Sequence, residues 1–274
     1  MTKQPPRLSQ SIMRTLLSRG PFHAWHEHPD LGGLKRKPTK EMGTGTLAHE
    51  LILGGSKVVV HDFRDWKTNK AKEAKAETYA AGKTPILQKQ VDAVQRAANA
   101  IRAALDAHGL SPELFTCEHR IEWEYGGVAC IGTPDAYLVE EDSAVVWDLK
   151  TTKNLANPGK TARKAADSGW AMQREAYVTA IETLYPKVAG RVAWYWVLAE
   201  IEEPYQVVVV PAGASMVELG RMQWERAIVQ WAELLSRGWE KPWDEDWSGG
   251  LEAPSYELNR ELELLDELTG SEDE

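Results

Sequence analysis

The chain has 274 residues, enough for one sizeable α/β domain or two small ones, and its 43% hydrophobic and 27% charged content is that of an ordinary globular protein. No run approaches the ~20 apolar residues of a membrane span, and the N-terminus, with Pro5 and Pro6, lacks the apolar core of a secretion signal; the expected location is the cytoplasm, away from membranes. Of the net charge of −9, residues 251–274 hold nine acids against one base, so the remaining 1–250 carry only −1; one domain over 1–250 and an acidic tail over 251–274 are expected, and a polyanionic partner would need a local basic channel.

Ser9 or Ser11 caps a short helix through Leu17, and Gly20-Pro21 ends it. His23, His26 and His28 around Trp25 lack a nearby set of acids and read as surface or packing residues. Leu31 to Thr39, with Lys35-Arg36-Lys37-Pro38, reads as a mobile basic loop, solvated or in contact with phosphate. Leu47 to Leu53 is a helix carrying His49, and Val58 to His61 a short strand. Trp66 to Ala81 is helical, with Lys67, Lys70, Lys72 and Lys75 partly balanced by Glu73 and Glu77; it is a solvated face or one wall of a channel for a polyanion. Pro85 begins a long helix with Ile86, Leu87, Val91, Val94, Ala98, Ile101 and Leu105 at core spacing, stopped by Gly109.

From Leu114 the pattern becomes that of strands. Glu118 to Glu124 alternates, and Gly126-Gly127 turns the chain into a strand over Val128 to Val139. Glu118 is either an extra acid for a site or an edge-strand charge. Cys117 and Cys130, the only cysteines, read as buried free thiols. A polar turn, Glu140 to Ser143, leads to a second strand over Ala144 to Thr151. Pairing Val139 with Ala144 sets Asp135 opposite Asp148, with side chains roughly 5 Å apart at Cβ, and the period of two puts Lys150 on the same face. Carboxylates that close repel, and a divalent cation between them turns the repulsion into a binding site. Val145, Trp147 and Leu149 form the opposite, core-packed face.

Lys153 to Asp167, with Asn157-Pro158-Gly159, Lys160, Arg163 and Lys164, reads as a flexible basic segment that contacts a polyanion. Ser168 to Leu184 is a helix with Gln173 and Tyr177 on one face. Arg191 to Glu200 and Tyr205 to Val210 form a strand pair that extends the sheet. Met216 to Leu235 is a helix with an apolar stripe of Val217, Trp224, Ile228, Trp231 and Leu235. Trp239, Trp243 and Trp247 surround Pro242, and Tyr256 onward is a helical acidic tail.

Pro134-Asp135 followed by Asp148-Leu149-Lys150 resembles the PD-(D/E)XK signature of metal-dependent nucleases, and Gln173 with Tyr177 resembles the QxxxY helix of the RecB-like branch. Met42 to Leu51 is similar to that branch's first-motif helix, whose histidine binds metal. Within the branch, Gly43-Thr44 through His49, Val58 to Arg64, Gly82 to Leu87 and Glu118 to Tyr177 look like the exodeoxyribonuclease VIII (RecE-like) exonucleases of phages, although Thr133 stands where many members have a basic residue.

The resemblance implies an α/β PD-(D/E)XK fold, a central mixed β-sheet flanked by helices. It implies His49, Asp135 and Asp148 as ligands of Mg²⁺, with Mn²⁺ able to substitute, and Lys150 as the catalytic cation. Gln173 and Tyr177 would position the metal shell or the DNA. The implied partners are double-stranded DNA ends, a single-strand annealing protein and further copies of the chain in a homo-oligomer, with resection 5′ to 3′. Two cysteines cannot supply the roughly four thiolates of the superfamily's iron–sulfur members. Endonuclease action and a non-catalytic DNA-end-binding role are the alternatives. Asp148→Asn and Lys150→Ala are expected to lower activity by orders of magnitude and leave stability near wild type, because relieving carboxylate repulsion costs no stability.

Overall fold

The computed structural model describes residues 5–34, 40–54, 58–152, 155, 157–237, 252–253 and 255–269, with side chains left out at 40–44 and 264–269. Residues 1–239 form one compact unit and 240–274 a second. The expected basic cluster Lys35-Arg36-Lys37-Pro38 and Trp239, Pro242, Trp243 and Trp247 lie outside the described residues.

The first unit opens with β1 (Leu8–Ser9), α1 (Gln10–Arg19) and α2 (Pro21–Glu27), then α3 (Lys40–Leu53), β2 (Val58–His61), α4 (Asn69–Ala80), β3 (Thr84–Leu87) and α5 (Gln88–Ala107). The middle of the chain supplies β4 (Thr116–Cys117), β5 (Ile121–Tyr125), β6 (Val128–Gly132), β7 (Ala136–Val139) and β8 (Ala144–Thr152). It ends with α6 (Pro158–Asp167), α7 (Trp170–Leu184), β9 (Val192–Glu200), β10 (Val207–Pro211) and α8 (Ala214–Arg237); in the second unit, α9 (Ser255–Thr269) is the expected acidic helix.

A five-stranded sheet in the order β10-β9-β8-β7-β4 is the centre of the unit, with β1-β6-β5 and β2-β3 as smaller sheets. The large sheet is mixed: β8 runs parallel to β9 and antiparallel to β7. Alternation along β8 divides the core in two. Trp147 and Leu149 pack with Ala98, Ile101 and Leu105 of α5, while Val146 joins Ala176, Tyr177, Ala180 and Ile181 of α7 in the larger cluster. The sheet thus lies between α5 and α7, the expected α/β layering. The α8 stripe is also as expected: Trp224, Ile228 and Trp231 are buried in the α7 cluster.

Several boundaries differ from the sequence reading. Thr84–Leu87 is a strand, not the start of the long helix, because it pairs in parallel with β2, with Pro85 opposite Val59. A two-stranded ribbon is all edge, where proline's missing donor costs little. α3 starts at Lys40, not Leu47: Gly43 and Gly45 lower helix propensity but lie inside the helix. A Cβ on Gly45 would stand 3.3 Å from Thr151 Oγ1, so the glycine lets α3 approach the end of β8. Gly20 caps the end of α1 as expected, and Pro21 at once begins α2.

The basic segment expected to be flexible is helical over Pro158–Asp167, because the Asn157 side chain caps it by accepting a hydrogen bond from Lys160 N at 2.9 Å. His28 is buried, donating from Nε2 to Arg7 O (2.9 Å) and accepting Asp30 N at Nδ1 (3.1 Å), which confirms the packing role. Cys130 is buried and Cys117 half-buried, both as free thiols.

Candidate active site

The expected continuous strand Val128–Val139 is two strands in two sheets. Gly126 and Gly127 both hold positive φ (57° and 76°), making the tight hairpin from β5 to β6. The chain then leaves β6 at Gly132, and Thr133-Pro134-Asp135 carries it into β7. The β7–β8 ladder has the expected register, Ala136 with Trp147 and Val139 with Ala144, and Asp135 sits one residue before it. Its Oδ2 accepts the Leu149 amide at 2.7 Å, which ties the turn to β8.

Tyr177 supports the turn from below. Its hydroxyl donates to Thr133 O (3.3 Å) and accepts from Thr133 N (3.4 Å), replacing the ladder bonds that the strand break gives up. Burial first, and then the Asp148 charge, push the phenol above its ordinary pKa, so it stays a neutral donor. At 5% exposure its ring lies inside the core, where it supports Asp135 from the protein side.

Asp148, Lys150 and Gln173 form a closed set. Gln173 Nε2 donates to Asp148 Oδ1 (2.9 Å), and Lys150 Nζ donates to Gln173 Oε1 (2.7 Å). Lys150 Nζ also lies 2.6 Å from Asp148 Oδ2, an ionic contact too bent for a hydrogen bond, so that oxygen has no hydrogen-bond donor. Asp148 is 1% exposed, and so buried a carboxylate persists only with such partners. Lys150 Nζ further stands 5.8 Å above the Trp170 ring, whose Gly169-preceded helix start also presents Gln173. Lys164 Nζ lies 6.0 Å from the same ring. Lys160, Arg163 and Lys164 are all exposed on α6, and Trp170 is the residue that Lys164 shares with Lys150.

His49 reaches this turn from α3. Its Nε2 lies 3.0 Å from Leu149 O, an atom that only accepts, so Nε2 donates and Nδ1 is left facing the Asp135 turn. That Nδ1 is 3.6 Å from Asp135 Oδ2. A proton or a metal ion between these two atoms would satisfy both. Glu118 completes the cluster: ligand atoms of His49, Glu118 and Asp135 lie within 4.8 Å of one another.

Glu118 adopts a left-handed φ of 49° while its amide bonds Asp135 O at 3.0 Å, the kind of backbone strain found where a side chain must be aimed. Asp135 has its pKa raised to about 6, by burial first and then by the Asp148 charge, with His49 and Lys150 opposing. The donor set of one imidazole and hard carboxylate oxygens fits a divalent cation such as Mg²⁺ or Mn²⁺. Of the expected ligands His49 and Asp135 fall in this cluster, whereas Asp148 stands beside it with its oxygens turned to Gln173 and Lys150. Glu118 was ambiguous in sequence because no spacing distinguishes an edge-strand acid from a ligand.

The sequence pattern of the PD-(D/E)XK nuclease superfamily matches residues 7–249. No curated protein sequence matches the chain. Among solved structures, a protein from Eubacterium rectale described as a candidate exonuclease superposes with a TM-score of 0.57 over 91% of this chain and 90% of its own, at 11% identity, a likeness of fold alone. An alkaline exonuclease from Laribacter hongkongensis aligns over 73% of this chain and 95% of its own at 14% identity, but its TM-score of 0.23 carries no argument. With the Asp135, Asp148 and Lys150 geometry and a match over most of its length, the chain belongs to the PD-(D/E)XK nuclease superfamily.

Proposed function

We propose that the chain is a metal-dependent DNA exonuclease that degrades linear double-stranded DNA from its ends, 5′ to 3′, in phage-type recombination of the exodeoxyribonuclease VIII kind. The observation that carries the nuclease reading is the juxtaposition of the His49, Glu118 and Asp135 cluster with Lys150, which is held by Asp148 and Gln173. End specificity, polarity, a homo-oligomeric assembly and an annealing partner rest on the sequence resemblance.

His49, Asp135 and Asp148 would hold Mg²⁺, with Glu118 added to the set. A divalent ion bound there supplies a Lewis acid for the phosphate and a water of lowered pKa. In the neutral ring the Leu149 carbonyl keeps the proton on Nε2 and leaves Nδ1 as the metal-binding atom. Asp135 is aimed by the Leu149 amide and by the turn resting on Tyr177. Lys150 brings its ammonium to the scissile phosphate, where it offsets charge developing on the nonbridging oxygens. Gln173 holds Lys150 and Asp148 at a fixed separation, so that little reorganisation is needed during reaction. Lys160, Arg163 and Lys164 on α6 would meet the DNA backbone flanking that phosphate.

The test uses linear duplex labelled at either the 5′ or the 3′ end, and a covalently closed circle of the same sequence. The proposal expects early release of the 5′ label with Mg²⁺, none with EDTA, and an intact circle. Cleavage of the circle would make the chain an endonuclease, and binding of ends without cleavage a non-catalytic subunit.

A further inference from the structure

We propose that the surface formed by Phe63 and Trp66 after β2, with Tyr79 and the lysines of α4, binds single-stranded DNA by stacking unpaired bases. The proposal rests on the nuclease reading, since a strand-resecting enzyme produces that ligand beside its own site.

The first ground is charge. Between His61 and Lys89 seven Lys and Arg residues stand against four Asp and Glu, a local excess of positive charge in a chain of net charge −9. Lys67, Lys70 and Lys72 are exposed, the Lys67 side chain to 89%. A basic helix alone would be an ordinary solvated face. The rings beside it are the second, independent ground.

His61 and Phe63 stack at 5.9 Å and 17°, and Trp66 meets them at 5.5 and 6.2 Å. Lys75 Nζ stands over both Trp66 (5.4 Å) and Tyr79 (5.9 Å), joining the rings of the loop to the helix. The core beneath is built from Leu47, Ala48, Ile86 and Val94 without any of these rings. Phe63 and Trp66 remain half-exposed and Tyr79 is 39% exposed.

The rings are also held in place. His61 Nε2 lies 2.9 Å from Thr78 Oγ1, whose hydroxyl donates to Ala74 O, so the imidazole donates and its plane is fixed. Lys89 Nζ donates to Arg64 O at 2.9 Å and secures the loop between Phe63 and Trp66. Pre-ordered rings lose little side-chain entropy when a base stacks on them. Position agrees with this role: Leu47 and Ala48 of α3 pack into the core under β2 and β3, while His49 of the same helix reaches Leu149. The surface is therefore anchored to the helix that supplies a site residue.

Only an unpaired strand exposes base faces to such rings, whereas a duplex would engage the lysines through phosphates alone. The experiment is fluorescence anisotropy with the full chain in EDTA, using a labelled 20-nucleotide oligothymidylate and a duplex of equal length. Trp66→Ala is expected to weaken oligothymidylate binding at least fivefold while changing duplex binding less than twofold, and Trp66→Phe to restore it. Joint replacement of Lys67, Lys70 and Lys72 by Gln leaves the rings in place and covers the case in which Trp66→Ala disturbs the loop. It should weaken oligothymidylate binding and reduce its salt slope by up to about three phosphates. Unchanged oligothymidylate affinity in both variants, or equal losses for duplex and single strand in Trp66→Ala, overturns the proposal. Digestion of linear duplex by wild type with Mg²⁺ is scored separately, so failure of the nuclease reading and failure of this surface give different results.

Discussion

Tyr177 occupies the space that a side chain on Gly132 would need: a Cβ built there stands 2.4 Å from Tyr177 Cε1. The glycine that ends β6 and the tyrosine of α7 are one device, which holds the turn carrying Asp135. Gly132→Ala must displace the ring or the turn. Overpacking of this kind costs about 1–3 kcal/mol, and urea unfolding should show it. Nuclease activity should fall further than stability explains, because Asp135 moves with the turn. Tyr177→Phe keeps the ring and loses only the hydroxyl bonds to Thr133, so it should cost about 1 kcal/mol and retain much of the activity.

The buried pairing of Lys150 with Asp148 changes the expectation drawn from repulsion alone. Lys150→Ala leaves a 1%-exposed carboxylate without its cation. It should destabilise the metal-free protein by about 2–4 kcal/mol, allowing for the 19% exposure of the lysine side chain. Asp148→Asn removes the buried charge and keeps an acceptor for Gln173, so its melting temperature should stay nearer to wild type. Both should lower cleavage by orders of magnitude. Equal stability of the two variants would contradict the closed set of Asp148, Lys150 and Gln173.

Glu118 and His49 make separable contributions. Glu118→Gly removes a ligand and relieves a left-handed φ of 49°, so the metal-free protein should melt no lower than wild type while calorimetric Mn²⁺ affinity falls. His49→Ala loses the hydrogen bond to Leu149 O and should cost about 1 kcal/mol without metal. Its loss of activity should be greater in Mg²⁺ than in excess Mn²⁺, whose stronger binding to the remaining carboxylates offsets the missing ligand. Metal affinity unchanged in both variants would make the cluster structural.

The raised pKa of Asp135 sets a pH window. In the folded chain its proton is held up to about pH 6, against an ordinary value of 3.8. Its contribution to metal-free stability is therefore complete below about pH 4 and is lost as pH rises through 6. Metal binding needs the carboxylate, so affinity should fall about tenfold per pH unit below 6. Mn²⁺ calorimetry from pH 4.5 to 8 on wild type and Asp135→Asn isolates this group, since the variant lacks the titration.

Neutralising Lys160, Arg163 and Lys164 together should weaken duplex binding and flatten its salt slope by up to about three phosphates, with a smaller effect on cleavage at saturating DNA. An unchanged slope would return α6 to an ordinary solvated face.

The parts of the site with strict periodicity were legible in the sequence. The β7–β8 register follows from a short polar turn between apolar strands, and it places Asp135, Asp148 and Lys150 correctly relative to one another. Gln173 and Tyr177 share a helix face by their spacing, but whether that face met DNA or the protein depended on where α7 packs. The segment around Asn157-Pro158 was read as flexible although the same dipeptide is a cap followed by a first-turn proline. Pro85 to Leu87 was read as helix because its partner strand lies far away in sequence. Glu118 and Trp170 come to the site through long-range packing, which no local spacing records.

The central claim, a divalent-metal nuclease built on Asp135, Asp148 and Lys150, is tested most directly by nucleotide release from linear duplex across a Mg²⁺ titration, for wild type and Asp148→Asn side by side. The account predicts release by wild type that rises with Mg²⁺ and stops with EDTA, and release by the variant lower by orders of magnitude. Equal release by the two proteins, or release that persists in EDTA, would contradict it.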